Sequence, residues 1–270
     1  VIIRYCFKFP KMGKENIINK KTEKRLLSIY YTAGFPTLNS TVEIAEQLEK
    51  SGVDFLEIGI PYSDPVADGP VIQKSSQRAL ENGMTVHTLF EQLKELPSRV
   101  NIPVFLMGYF NPILQFGVEN FCKSCHDAGI TGVIIPDLPM YEYEALYQET
   151  FKKYNLSNVF LVTPQTSDER IQKIDGLTNS FIYLLSSNAT TGKNLEVGNE
   201  AELYFARLKS MNLKSPLVIG FGISDAKTFQ KATDYATGAI IGTAFVNILG
   251  QENYQDKIKG FIKSIVEPTS

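Results

Sequence analysis

Eight short apolar runs, rich in β-branched and aromatic residues, recur along the chain at 27–32, 55–60, 104–109, 132–136, 159–163, 181–186, 217–221 and 239–242. Most are continuous rather than alternating, the pattern of parallel strands covered on both faces. Segments with helical period separate them. Residues 40–51 set Val42, Ile44, Ala45 and Leu48 opposite Glu43, Glu46, Glu49 and Lys50, and 85–96, 143–154, 167–177, 200–211 and 225–232 behave alike. Eight β-then-α units without an interdomain linker predict one closed (β/α)8 barrel of the TIM type. An extra N-terminal helix is expected before the first strand. After the second, a long insertion over 61–84 carries its own helix at 71–82. Long connections at the C-terminal ends of barrel strands are where such folds do chemistry.

One strand breaks the apolar rule. Glu57 lies inside Phe55-Leu56-Glu57-Ile58-Gly59-Ile60, where an unpaired ionised carboxylate would cost several kcal/mol. Asp68 follows on a loop dense in proline, glycine and aspartate. A buried acid on a strand and a second on the next loop form an arrangement for proton transfer. Ser63 and Asp64 read as braces of that loop, and Tyr183 reads equally as a core residue or a third group at the mouth.

Composition narrows the chemistry further. Of 270 residues, 27 are Lys or Arg and 29 Asp or Glu, a net charge of −2, so nothing global points to nucleic acid or anionic membrane. Three cysteines are too few for a disulfide framework, which fits a reducing cytoplasm. Cys122-Lys123-Ser124-Cys125-His126 has the spelling of a haem attachment site, but an amphipathic helix over 118–128 accounts for it. The chain begins at Val1, and Met12-Gly13 is a candidate start. Residues 1–11 are therefore set apart as an extension, and 12–270 are assigned to the barrel.

His87 and His126 both fall on outer helices, which argues against a His-ligated metal. No strand contains a lysine, which disfavours a Schiff base, and Lys193 reads as a solvated side chain. No dinucleotide fingerprint follows any strand. Glycines instead cluster after strands six to eight, at Thr191-Gly192, Gly220-Phe221-Gly222 and Gly242-Thr243. There, main-chain N–H groups can cradle a phosphate. Phe221 could cover a flat apolar substrate. The residues therefore indicate cofactor-free acid–base chemistry on a phosphorylated molecule.

Three segments, Thr32-Ala33-Gly34-Phe35-Pro36, the run from Leu56 to Pro70, and Gly220-Phe221-Gly222-Ile223, resemble the tryptophan synthase α subunit family. Leu106-Met107-Gly108-Tyr109-Phe110-Asn111-Pro112 and Pro136-Asp137-Leu138-Pro139 add to the likeness, which runs from about Arg25 to the C-terminus. The resemblance implies retro-aldol cleavage of indole-3-glycerol phosphate to indole and glyceraldehyde 3-phosphate without a cofactor in this chain. By match of position, Glu57 would shuttle the proton and Asp68 would face the indole nitrogen. Met107, Tyr183 and Phe221 would line the indole pocket, and Gly192, Gly222, Gly242 and Thr243 the phosphate. A β subunit carrying pyridoxal phosphate is the implied partner, in an α2β2 assembly.

The loop after strand six departs from the commoner family pattern. Ser187 stands where an arginine is usual and Ala189 where a glycine is, whereas Thr191, matching a threonine that orients the loop aspartate, is kept. The departure bears on loop closure and communication with the β subunit. Two other readings stay open on the residues alone: a phosphosugar isomerase or epimerase barrel, and a barrel without turnover that activates a β subunit.

Overall fold

A computed structural model of the chain describes residues 24–185, 199–220 and 222–267. Eight parallel strands close on themselves in sequence order, β1 pairing with both β2 and β8. They are β1 (Leu26–Thr32), β2 (Phe55–Gly59), β3 (Val104–Met107), β4 (Gly132–Ile134), β5 (Ser157–Val162), β6 (Ile182–Leu185), β7 (Leu217–Gly220) and β8 (Gly238–Ile241). Closure removes both sheet edges, and the strands are buried on both faces, which is why their sequences do not alternate. The (β/α)8 expectation is met. The expected N-terminal helix and residues 1–11 lie outside the described residues.

The helices are α1 (Thr41–Lys50), α2 (Pro70–Glu81), α3 (Val86–Leu93), α4 (Leu96–Arg99), α5 (Phe110–Phe116), α6 (Val118–Asp127), α7 (Met140–Glu142), α8 (Gln148–Lys153), α9 (Asp168–Leu177), α10 (Asn199–Ser210), α11 (Ala226–Thr233), α12 (Thr243–Leu249) and α13 (Tyr254–Val266). Their starts follow local chemistry. Pro70 opens α2, Ser167 accepts the Arg170 N–H at the start of α9, and Asp225 with Thr228 forms a capping box on α11.

Several boundaries differ from the periodicity. The helix expected over 85–96 ends at Leu93, and α4 begins separately. Pro97 lacks an N–H, and in a continuous helix its ring would strike the carbonyl of Leu93. The helix expected over 143–154 starts at Met140 and passes through a π turn at Tyr143–Tyr147. That turn leaves Tyr143 and Phe151 both buried, their rings edge-on at 5.2 Å. Three helices, α5, α12 and α13, were not anticipated. The Phe110 N–H at the start of α5 is held by the Asp137 carboxylate at 2.9 and 3.1 Å, and Pro112 sits in its first turn, where a proline is tolerated.

Candidate active site

Every second residue of a barrel strand points inward. Phe55, Phe105 and Phe181 meet inside at centroid separations of 5.2–6.0 Å, closing the lower barrel with aromatic surface. Glu57 follows Phe55 on the same face of β2, and Tyr183 of β6 follows Phe181, which immediately precedes that strand. The acid therefore stands on an apolar floor. It is 0% exposed, and among the described residues neither of its carboxyl oxygens has a hydrogen-bond partner. Burial pushes this carboxyl up to about 8, so it is protonated at neutral pH.

Above Glu57 the barrel opens into a cavity of about 760 Å³, within the usual range for small-molecule sites. Tyr30, Ile60, Asp68, Met107, Leu161 and Leu185 are among its walls. The register of β2 with β3 pairs Gly59 with Met107, one inward position above Glu57. Aromatic rings force glycine at two places here. A Cβ on Gly59 would lie 2.2 Å from the Tyr30 hydroxyl, and one on Gly220 would lie 2.1 Å from that of Tyr183. Both tyrosine hydroxyls are pushed up, by burial first, and then by nearby acids: Asp68 and Glu57 for Tyr30, Glu57 and Asp68 for Tyr183.

The loop after β2 is built to deliver Asp68. Ser63 donates to the Asp64 carboxylate at 2.6 Å, the bracing role its sequence suggested. The Asp68 N–H reaches the Pro65 carbonyl at 3.0 Å, and Gln73 of α2 donates to the Asp68 carbonyl at 2.8 Å. Gly69 and Pro70 then start α2, which fixes the loop's exit. Tyr109 ties the tip down, its hydroxyl accepting the Ala67 N–H at 3.0 Å and donating to Asp68 Oδ2 at 3.4 Å. Desolvation moves the Asp68 carboxyl up to about 6, with the Tyr109 hydrogen bond opposing the rise. Asp68 is thus mostly ionised near pH 7, where Glu57 is not.

At the adjoining strand ends, Gly222 follows β7 with a φ of +76°, in the left-handed region that favours glycine. Gly242 precedes α12 directly, and Thr243 is the first residue of that helix. Of the expected site residues, Asp68 and Met107 line the cavity, Glu57 and Tyr183 lie within β2 and β6 and do not line it, and Gly222, Gly242 and Thr243 lie just past the ends of β7 and β8. Phe221, Thr191, Gly192 and the altered positions Ser187 and Ala189 lie outside the described residues, as does Lys193. His87 and His126 sit on α3 and α6, outside the barrel. Sequence reasoning missed Tyr30 and the clamp by Tyr109. Tyr30 and Tyr31 are adjacent in a run apolar on both faces, so no alternation told which one faces inward.

The tryptophan synthase alpha chain family matches residues 17–268. The chain is similar to the tryptophan synthase alpha chain of Flavobacterium psychrophilum, 57% identical over 93% of this chain and 99% of that one. It is also similar to that of Christiangramia forsetii, 54% identical over 93% and 98%. Among solved structures, tryptophan synthase subunit alpha from Legionella pneumophila superposes with a TM-score of 0.81 at 33% identity, covering 90% of this chain and 91% of that one. A chain of the tryptophan synthase complex from Pyrococcus furiosus does so with 0.79 at 32%, covering 89% and 97%. With the barrel, the strand-two acid and its loop aspartate in place, these matches settle the family: the chain belongs to the tryptophan synthase alpha chains.

Proposed function

We propose that this lyase cleaves indole-3-glycerol phosphate by using Glu57 and Asp68 as a divided acid–base pair. The observation that carries the reading is Glu57, fully buried without a hydrogen-bond partner beneath a cavity whose wall holds a second carboxyl. Glu57 gives its proton to indole C3, and positive charge develops at the ring N–H, where the ionised Asp68 stabilises it. The Glu57 carboxylate then takes the proton of the hydroxyl on the carbon attached to C3. The carbon–carbon bond breaks, its electrons return to the indole ring, and glyceraldehyde 3-phosphate leaves with Glu57 reprotonated. A carboxyl near 8 is a weak enough acid to recover that proton at pH 7. Met107 and Tyr183, with Phe221, serve the indole ring, and Gly222, Gly242 and Thr243, with Thr191 and Gly192, serve the phosphate end.

The same proposal places pyridoxal phosphate only on a β subunit that consumes the indole. Val66, Leu114 and Tyr141 are exposed apolar side chains, and all three follow C-terminal ends of barrel strands, which supports docking at the cavity mouth. Among the described residues no helix is long and apolar enough to cross a membrane. A cytoplasmic setting is proposed with it, and the free buried thiols Cys122 and Cys125 accord with that. Incubating the chain with indole-3-glycerol phosphate, alone and with a β subunit, tests the reading. Indole release that falls by about a hundredfold or more in Asp68→Asn supports the lyase. Activation of the β subunit that survives the substitution, with no indole release from the wild type, supports a non-catalytic activator instead.

A further inference from the structure

Tyr30 takes no part in the reaction as described, yet it stands between its two ends. It lines the cavity and is the register partner of Glu57. A Cβ on Gly242 would approach its ring at 3.4 Å, while a Cβ on Gly59 would meet its hydroxyl. The base of the ring therefore lies against the end of β8, beside the proposed phosphate site. Its hydroxyl reaches across to β2, one inward position above the acid. A substrate whose phosphate sits at Gly242 and whose reacting carbon sits at Glu57 must run its connecting chain along this side chain.

We propose that Tyr30 determines specificity for the hydroxylated substrate chain, its hydroxyl forming a hydrogen bond with a glycerol hydroxyl. Phenylalanine would fill the same volume and keep the ring contacts with Gly59 and Gly242, so packing alone does not call for the hydroxyl. The inference rests on the lyase reading above.

The test compares wild type and Tyr30→Phe in indole release from indole-3-glycerol phosphate. The second readout is inhibition by indole-3-propanol phosphate, which has the same ring and phosphate but no chain hydroxyls. Tyr30→Phe should lose about tenfold in kcat/KM, chiefly through KM, while inhibition by the analogue changes by less than about twofold. Equal changes for substrate and analogue, or no change for either, overturn the inference. A wild type that binds the analogue but releases no indole overturns the lyase reading and this role together. A wild type that turns over beside an unaffected Tyr30→Phe overturns the role alone.

Discussion

Glu57 is a side chain whose environment favours its neutral form. Unfolded, it ionises near 4.5; folded, it is pushed up to about 8 by burial. Between those values the folded chain holds a proton that the unfolded chain has released. Stability contributed by this group is therefore whole below about pH 4.5 and falls by up to about 1.4 kcal/mol per pH unit until about pH 8. Glu57→Gln, which carries no charge in either state, should gain on the wild type across that interval. The difference between their urea midpoints should widen from about pH 5 to about pH 8 and then level off; a difference independent of pH would contradict the buried, unpartnered acid. Gly59 makes a second prediction at this scale. The methyl of Gly59→Ala would collide with the Tyr30 ring and hydroxyl, at a cost of about 1–3 kcal/mol. Combining it with Tyr30→Phe should recover part of that loss, because the closest atom is the hydroxyl. Additive losses in the double variant would show that the two side chains do not meet.

The strands and their loops hold these residues where they can act, and here the sequence was most legible. Each of the eight strands was visible as an apolar run, because burial on both faces leaves no polar residues to blur it. The same double burial hid which face pointed inward, so Glu57 stood out by its charge while Tyr30 did not stand out from Tyr31. Asp68 was legible because its proline- and glycine-rich loop had no other evident purpose. Its clamp by Tyr109 was not, since the partners lie 41 residues apart. Another long-range tie is made by Arg207 of α10, which donates to the carbonyls of Thr166 at 2.7 Å and Pro164 at 3.3 Å and pairs with Asp168. Gln165, Thr166 and Ser167 line the cavity mouth, so this arginine fixes one wall of the entrance from a neighbouring helix. Arg207→Met should speed amide hydrogen exchange in the segment after β5 by about tenfold, leaving β1 to β4 unchanged. Unaltered exchange in that segment would mean that the wall is held without the arginine.

In the whole molecule, the barrel separates two carboxyls by environment: one on an aromatic floor, one on a half-exposed loop. Their values, about 8 for Glu57 and about 6 for Asp68, leave a window in which the first is an acid and the second an anion. The free enzyme's kcat/KM for cleavage should accordingly be bell-shaped, rising through about pH 6 and falling through about pH 8; a profile flat from 5 to 9 would contradict that assignment. Docking is tested at the same scale. Val66, 81% exposed at the tip of the loop after β2, should matter to the β subunit and not to folding. Val66→Asp should weaken association by about tenfold or more with an unchanged melting temperature. The most direct measurement of all is indole release by Glu57→Gln, with binding of indole-3-propanol phosphate measured alongside. The account predicts a fall in kcat of about a hundredfold to ten-thousandfold with the analogue still bound. A Glu57→Gln enzyme that turns over within about tenfold of the wild type would contradict it.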